Sequence, residues 1–285
     1  MLREGKQMKF SFVILNYNTF NETKKCIENI NKLKNDFATV IIIIIDNCST
    51  DDSLSKLLNK YSNTDNIEII SMEYNVGFAK GNNIGYTVAK YKYNSDYIVI
   101  LNSDVYIQSL DFLTQVHQLY VSNHYDILGP KISDLIGNDQ NPIEYVHDSV
   151  NKINKTLILN LFRYIYYFLN FYKNKVSKIR KTDLSDEVDV PLHGSCLIYS
   201  NNYTKHNEFA FYPDTFLYGE EDFLFYLSKK KDRKLLYSPS IHVIHAEDAA
   251  SNSINRNIKE KKLFVLKNST SSLKKLKKLI KNMEE

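Results

Sequence analysis

A chain of 285 residues holds one large domain or two small ones, and 43% hydrophobic with 25% charged residues is the balance of a globular protein with a sizeable core. A net charge of +4 is too mild to argue for nucleic acid, although cations gather towards the C-terminus. Cys26, Cys48 and Cys196 are far apart and odd in number, which disfavours a disulfide framework or a zinc site and suits a reducing, cytoplasmic setting. Residues 1–10 lack the apolar segment of a signal peptide, and no run reaches the length of a spanning helix without charges.

In chain order, residues 9–15 read as a first strand, and the polar turn Asn16-Tyr17-Asn18-Thr19 can start a helix. Cys26, Ile27, Ile30 and Leu33 recur at helical spacing. Residues 40–45 are a continuous β-branched run, the pattern of a strand buried on both faces of a parallel sheet. The run ends in Asp46-Asn47-Cys48-Ser49-Thr50, where Asp46 can meet a base or ribose or simply form an Asx-turn. A helix over 53–61 and a strand over 67–71 follow. The loop around Asn75, Gly77, Gly81, Asn82 and Gly85 then leads into a helix reaching residue 91. Its glycines serve turns and packing, or let backbone approach a phosphate.

Residues 97–101 form the next strand and stop abruptly at Asn102-Ser103-Asp104. Ligands of open α/β sheets sit beyond the carboxyl ends of the strands. Asp104 there suits a hard divalent cation that also holds phosphates, or else caps the following turn. The repeated strand–helix alternation predicts a βαβ sheet. No Gly-x-Gly-x-x-Gly or P-loop pattern is present, which disfavours a dinucleotide-binding oxidoreductase or a P-loop NTPase.

Beyond Asp104 a helix is predicted over 110–122, then a strand over 127–132 that Gly129-Pro130 breaks at a sheet edge, then a loop over 137–142. Residues 154–172 are a dense aromatic and aliphatic helix that only Arg163 interrupts with charge. A buried or homodimer-forming helix is the plainer reading; a helix in a membrane interface is the sharper one. Residues 173–187 read as a charged loop. His193-Gly194-Ser195-Cys196 leads into a strand; Gly194 admits a close approach and His193 can touch an acceptor. Glu220-Glu221-Asp222 lies between aromatic runs. Burial and like charge there raise carboxyl pKa values towards those of a general base, while a helix N-terminus would also favour such acids. Residues 235–237 and 241–245 read as two short strands. His242 and His245 face opposite sides of an extended chain, so His245, at the strand end, is the one to join Asp104 on a cation. Residues 263–283 form a basic amphipathic helix, either a solvated tail or a contact with anionic lipid.

The ordered set resembles the family 2 glycosyltransferases of the GT-A fold. Its parts are Val13-Ile14-Leu15-Asn16-Tyr17-Asn18, Ile45-Asp46-Asn47, Asn75-Val76-Gly77 through Asn83, Leu101-Asn102-Ser103-Asp104, His193-Gly194-Ser195-Cys196, Tyr218-Gly219-Glu220-Glu221-Asp222 and His242-Val243-Ile244-His245. In particular it resembles bacterial enzymes of surface-polysaccharide assembly, such as those of capsule and O-antigen, including the rhamnosyltransferase-like group. The resemblance implies an α/β fold with a Rossmann-like, mostly parallel central sheet flanked by helices and a C-terminal helical extension. The catalytic domain would span 1–255, with a nucleotide-sugar half at 9–105, an acceptor half at 106–255 and an apolar helical insert at 154–175. Residues 256–285 would form the basic helix.

The resemblance further implies that Asn16, Asn18, Asp46, Asn47, Asn75, Gly77, Asn82, Asn102 and Ser103 line the nucleotide-sugar site. Asp104 and His245 would hold Mn²⁺ or Mg²⁺, His193 and Gly194 would meet the acceptor, and Glu221 or Asp222, ahead of Glu220, would be the base. Asn102 stands where the family's Asp-x-Asp motif begins and carries no charge. The expected activity is inverting hexosyl or rhamnosyl transfer from a UDP- or dTDP-linked sugar to a glycan or lipid-linked hydroxyl, on the inner face of the cytoplasmic membrane. The alternatives are a sugar-binding subunit with a degenerate site and a sugar nucleotidyltransferase.

Overall fold

Apolar alternation builds the first half of the fold. In the computed structural model, which describes residues 7–169, 179–182, 185–246 and 258–285, seven elements alternate in the predicted order. They are β1 (Met8–Asn16), α1 (Phe20–Ile30), β2 (Ala38–Asp46), α2 (Ser53–Tyr61), β3 (Ile67–Ser71), α3 (Phe78–Tyr91) and β4 (Tyr97–Asn102). β3, β2, β1 and β4 lie side by side, all parallel. Ile42, Ile43, Ile44 and Ile45 are all fully buried because both faces of the sheet are covered. Phe10, Phe12, Ile42 and Ile44 enter one apolar core, and Val13, Ile43 and Ile45 the other.

The second half is β5 (Val105–Ile107), α4 (Phe112–Asn123), β6 (Ile127–Ser133), α5 (Val150–Phe168), β7 (Glu187–Val188), β8 (Cys196–Ser200), α6 (Asn201–His206), α7 (Glu220–Lys230), β9 (Leu235–His245) and α8 (Ile258–Glu284). Its strands extend the sheet in the order β4-β8-β6-β9-β5, with β7 on β9. β8 runs antiparallel to β4 and β6, and β5 antiparallel to β9. The result is a GT-A-like fold: a mixed nine-stranded sheet, parallel through its first half, flanked by helices.

Four expectations change. Gly129-Pro130 does not mark an edge: β6 is internal, between β8 and β9, and its register with β9 shifts at Pro130/Lys131, where the proline's missing N–H is tolerated. Residues 235–245 are one strand rather than two. α3 begins at Phe78, so Gly81, Asn82 and Gly85 are helical; built Cβ atoms on the two glycines would lie 2.4 Å from Leu15 and 2.2 Å from Val13, so both glycines permit close packing on β1.

The fourth change concerns α5, read as a buried or homodimer-forming helix or one in a membrane interface, and α8, read as a solvated tail or a lipid contact. α8 is neither a solvated tail nor free to lay its apolar face on lipid. Leu273, Leu276 and Ile280 are buried against Ile153 of α5 and Phe223 and Tyr226 of α7. α5, in contrast, buries only Ile153 and Asn160. Its second half leaves Leu161, Phe162, Ile165 and Phe168 49–63% exposed. Among the described residues no helix is long and apolar enough to cross a membrane. Residues 170–172 of the aromatic run, most of the charged loop over 173–187, residues 1–6 and residues 247–257 lie outside the described residues.

Candidate active site

The carboxyl ends of β1, β2 and β4 converge on one edge, and two loops are knitted together there by asparagines. Asn16 is fully buried and donates to Asp46 Oδ2 (2.7 Å) and Ser49 Oγ (3.1 Å), while its own oxygen accepts from Thr19 and Thr23. Asp46 is also fully buried and accepts from the Ser49 N–H (3.0 Å) and hydroxyl (2.6 Å), which is the Asx-type turn. Asn18, in the left-handed region at φ 56°, accepts from the Thr50 N–H at 2.7 Å. These three residues brace the loops. Asn47 and Asn75 reach further: the Asn47 amide donates to Asn75 Oδ1 (3.1 Å), and Asn75 Oδ1 also accepts the Gly77 N–H (3.0 Å).

Asn47, Asn75 and Gly77 line a cleft of about 430 Å³, together with Asn102, Ser103, Asp104, His193, Gly194, Glu220, Glu221 and His245. Gly77 has φ 86°, and a Cβ there would fall 2.5 Å from the Phe216 carbonyl, which accepts the Phe78 N–H at 2.6 Å. A glycine is thus required where the loop carrying Phe216 closes over the start of α3. Asn82 is buried within α3, donates to the Phe78 carbonyl (3.1 Å), and does not reach the cleft.

Asp104 and His245 are 141 residues apart and meet because β5 runs back along β9, with Val105 opposite His245. Asp104 Oδ1 lies 3.4 Å from His245 Nε2, and the Asn102 amide nitrogen lies at the same distance from that ring atom. On its other side the ring is fixed by Gln140, whose Oε1 lies 2.9 Å from Nδ1. An amide oxygen can only accept, so Nδ1 carries the proton and Nε2 faces the carboxylate. A lone pair and a carboxylate oxygen 3.4 Å apart suit a cation between them: two ligands at about 2.1 Å and right angles lie about 3 Å apart. Among the described residues no group of three or more His, Cys, Asp or Glu forms a closed metal cage. The pair fits an open site whose remaining positions go to phosphate oxygens and water.

The three adjacent acids begin α7 and point three ways. Tyr218 (φ 68°) and Gly219 (φ 93°), both left-handed, turn the chain into the helix. Asp222 accepts from the His147 backbone N–H (2.8 Å) and from the His147 ring at Nδ1 (2.8 Å), and it does not line the cleft. Glu221 accepts the Gly194 N–H at 3.2 Å, and burial raises its pKa. Glu220 is 3% exposed with Oε1 unpartnered; burial and then Glu221's charge raise its pKa. His193 is pushed down to about 3 by burial and then by His245, so its ring is neutral, and Nδ1 accepts the Ser195 N–H (3.2 Å).

Sequence reasoning missed Gln140, which lies in a segment read only as loop, and His147, which no local pattern connects to Asp222. It also missed Tyr17, whose place in the cleft follows only from the turn after β1. Asn83, which closes the motif begun by Asn75, accepts from the Ala210 and Phe211 N–H groups with its side chain and anchors the segment leading to Phe216.

A Rossmann-like parallel half, a carboxylate at the end of its central strand and a buried acid across the cleft define the GT-A class of nucleotide-sugar folds. Residues 11–183 match the model of glycosyl transferase family 2, and the chain belongs to that family. It is 25% identical over 122 residues to the low-salt glycan biosynthesis hexosyltransferase Agl10 of Haloferax volcanii, a match covering 43% of this chain and 36% of that protein. It is 28% identical over 159 residues to the poly(ribitol-phosphate) beta-N-acetylglucosaminyltransferase TarS of Staphylococcus aureus, covering 54% of this chain and 26% of that one. The chain thus matches about a third or less of these relatives' lengths. The fold is similar to the crystal structure of S. aureus TarS 1–349 in complex with UDP, with a TM-score of 0.52, 19% identity, and coverage of 83% of this chain and 60% of that one. It is also similar to GalNAc-T7 with UDP, GalNAc and Mn²⁺, with a TM-score of 0.56, 13% identity, and coverage of 86% and 45%.

Proposed function

We propose that the protein is an inverting glycosyltransferase acting on a UDP- or dTDP-linked hexose or deoxyhexose, with a glycan or lipid-linked hydroxyl as acceptor, in the building of a cell-surface polysaccharide. The observation that carries the reading is the single cleft in which Asp104 and His245 face each other while Glu221, raised by burial, hangs from the Gly194 N–H. Agl10 and TarS, a hexosyltransferase of glycan biosynthesis and an N-acetylglucosaminyltransferase, point the same way.

Asn47, Asn75 and Gly77 line the donor side, and the diphosphate lies towards Asp104. Asp104 and His245 would hold Mn²⁺ or Mg²⁺, which when bound neutralises charge on the departing diphosphate. Glu221 takes the proton of the acceptor hydroxyl as that oxygen bonds to the anomeric carbon. The bond from that carbon to the phosphate oxygen breaks, and the nucleoside diphosphate leaves. A raised carboxyl pKa makes Glu221 a better base near neutral pH. Neutral His193 and the Gly194 backbone border the acceptor. Asp222, with both oxygens on His147, serves as a brace for the start of α7.

The protein would work at the inner face of the cytoplasmic membrane, resting there on the exposed second half of α5; the same face is the one a homodimer would use. The uncharged Asn102, whose amide approaches His245, favours one rival, a sugar-binding subunit with a degenerate site. Turnover separates the two. UDP- and dTDP-sugars are first screened by thermal shift with and without Mn²⁺. On the stabilising donor, Glu221→Gln is expected to lose about 10²–10⁴-fold in kcat with donor binding retained. Unchanged turnover in Glu221→Gln overturns the assignment, and donor binding without hydrolysis or transfer by the natural protein supports the rival.

A further inference from the structure

A second concavity, of about 780 Å³, opens beside the donor cleft and shares Glu221 and Gly219 with it. It runs between α5 and α8, and its two ends differ in charge. Glu221 and Asp222 close the inner end; Arg163, Lys261 and Lys262 line the outer part. His147, bonded to Asp222, touches Thr156 of α5 at 3.0 Å, and Arg163 follows seven residues on, about 10 Å along the helix. The guanidinium is held ready: Arg163 Nη1 donates to Asn160 Oδ1 (3.1 Å), and the Asn160 amide donates to Thr270 of α8 (3.0 Å). A hydroxyl belongs at the acidic end, where a base can take its proton. A phosphate belongs at the basic end, where a planar guanidinium and two ammonium groups meet it.

We infer that this groove binds an acceptor carrying a phosphate, with the reacting sugar towards Glu221 and the phosphate at Arg163, Lys261 and Lys262, and that the phosphate is borne on a lipid. The inference rests on the transferase reading, which makes Glu221 the inner boundary. The lipid follows from what adjoins the basic end. Lys262 Nζ sits 5.4 Å over the Tyr167 ring, and Lys259 Nζ 5.2 Å over the Phe168 ring. Beside them Phe162 is 63% exposed and Phe168 58%. Cations interleaved with exposed aromatic side chains suit the headgroup layer of a membrane, where phosphate and hydrocarbon meet. A soluble anionic polymer would have no use for the apolar flank.

The test is calorimetric titration of the full chain with four probes in EDTA: inorganic diphosphate, farnesyl diphosphate, farnesol and long-chain polyphosphate. Farnesyl diphosphate is expected to bind at least tenfold tighter than inorganic diphosphate. Arg163→Gln/Lys261→Gln should weaken both diphosphates at least tenfold, and Phe162→Ser/Ile165→Ser should remove only the advantage of the farnesyl tail. UDP binding with Mn²⁺ and the thermal midpoint should stay as in the natural protein. Diphosphate binding unaffected by Arg163→Gln/Lys261→Gln overturns the subsite. Polyphosphate binding more tightly than farnesyl diphosphate overturns the lipid and leaves a soluble polyanion as the acceptor. Failure of the natural chain to bind any nucleoside diphosphate, with the groove still taking farnesyl diphosphate, strikes the transferase reading and with it the role of the anion as acceptor.

Discussion

Gly194→Ala is a one-atom probe of the candidate base. Gly194 lies outside the left-handed region, so alanine costs no backbone strain there. Its Cβ would fall 2.8 Å from Glu221 Oε1 and 3.5 Å from Glu221 Cδ. Ordinary contact begins at 3.4 Å, so the carboxylate has to retreat by about 0.6 Å. It also loses or lengthens the 3.2 Å bond from the Gly194 N–H. Misplacing a reacting group by about 1 Å costs on the order of 10²-fold in rate, so a loss of about 10–100-fold in kcat is expected, with donor KM unchanged. The assay is steady-state release of nucleoside diphosphate by Gly194→Ala, Glu221→Gln and the double variant. If the methyl acts through the carboxylate, the double variant should be no slower than Glu221→Gln alone. A kcat within threefold of the natural protein, or losses that multiply in the double variant, refutes the reasoning.

Two further outcomes follow from burial and from hydrogen bonding. Glu220 has its pKa raised, so the folded state keeps the proton at a pH where the unfolded chain, near 4.5, has lost it. Its contribution to stability is therefore full below pH 4.5 and lost as pH rises through the folded value. Glu220→Gln should melt like the natural protein near pH 4 and more stably at pH 8, by about 1–3 kcal/mol, read by calorimetry; equal midpoints at pH 8 would remove the argument. Gln140→Leu frees His245 to rotate and change tautomer, and should weaken Mn²⁺-dependent donor stabilisation by about 10–100-fold in metal concentration. An unchanged Mn²⁺ titration would show that Gln140 does not position the ring.

What the sequence made legible was local. The β-branched run before Asp46 and the strand ending at Asn102 announce buried parallel strands with polar ends, and the sheet follows from their alternation. The acids were legible as a group and not one by one. Successive residues at a helix start point about 100° apart, so Glu220, Glu221 and Asp222 meet three different surroundings that only the fold supplies. An amphipathic pattern says that α8 has an apolar face, but not that α5 and α7 already cover it. Pro130 shows the same limit: the missing N–H demands an exception in the ladder, and the register shift beside it meets that demand as well as an edge would. Gln140 carried no signal because its importance comes from a partner 105 residues away.

The antiparallel return of β5 along β9 also sets an order of events in synthesis. The residues proposed to line the donor side, from Asn47 to Asp104, are encoded in the first 104 residues, whereas Gly194, Glu221 and His245 come from the last third. The four parallel strands are complete in the sequence by residue 102, before any strand of the second half has been made. His245, the proposed second cation ligand, arrives only when β9 slots between β6 and β5. On the proposed mechanism, a chain cut short before residue 245 keeps Asp104 and Glu221 but lacks His245, the residue that faces Asp104 across the cation position.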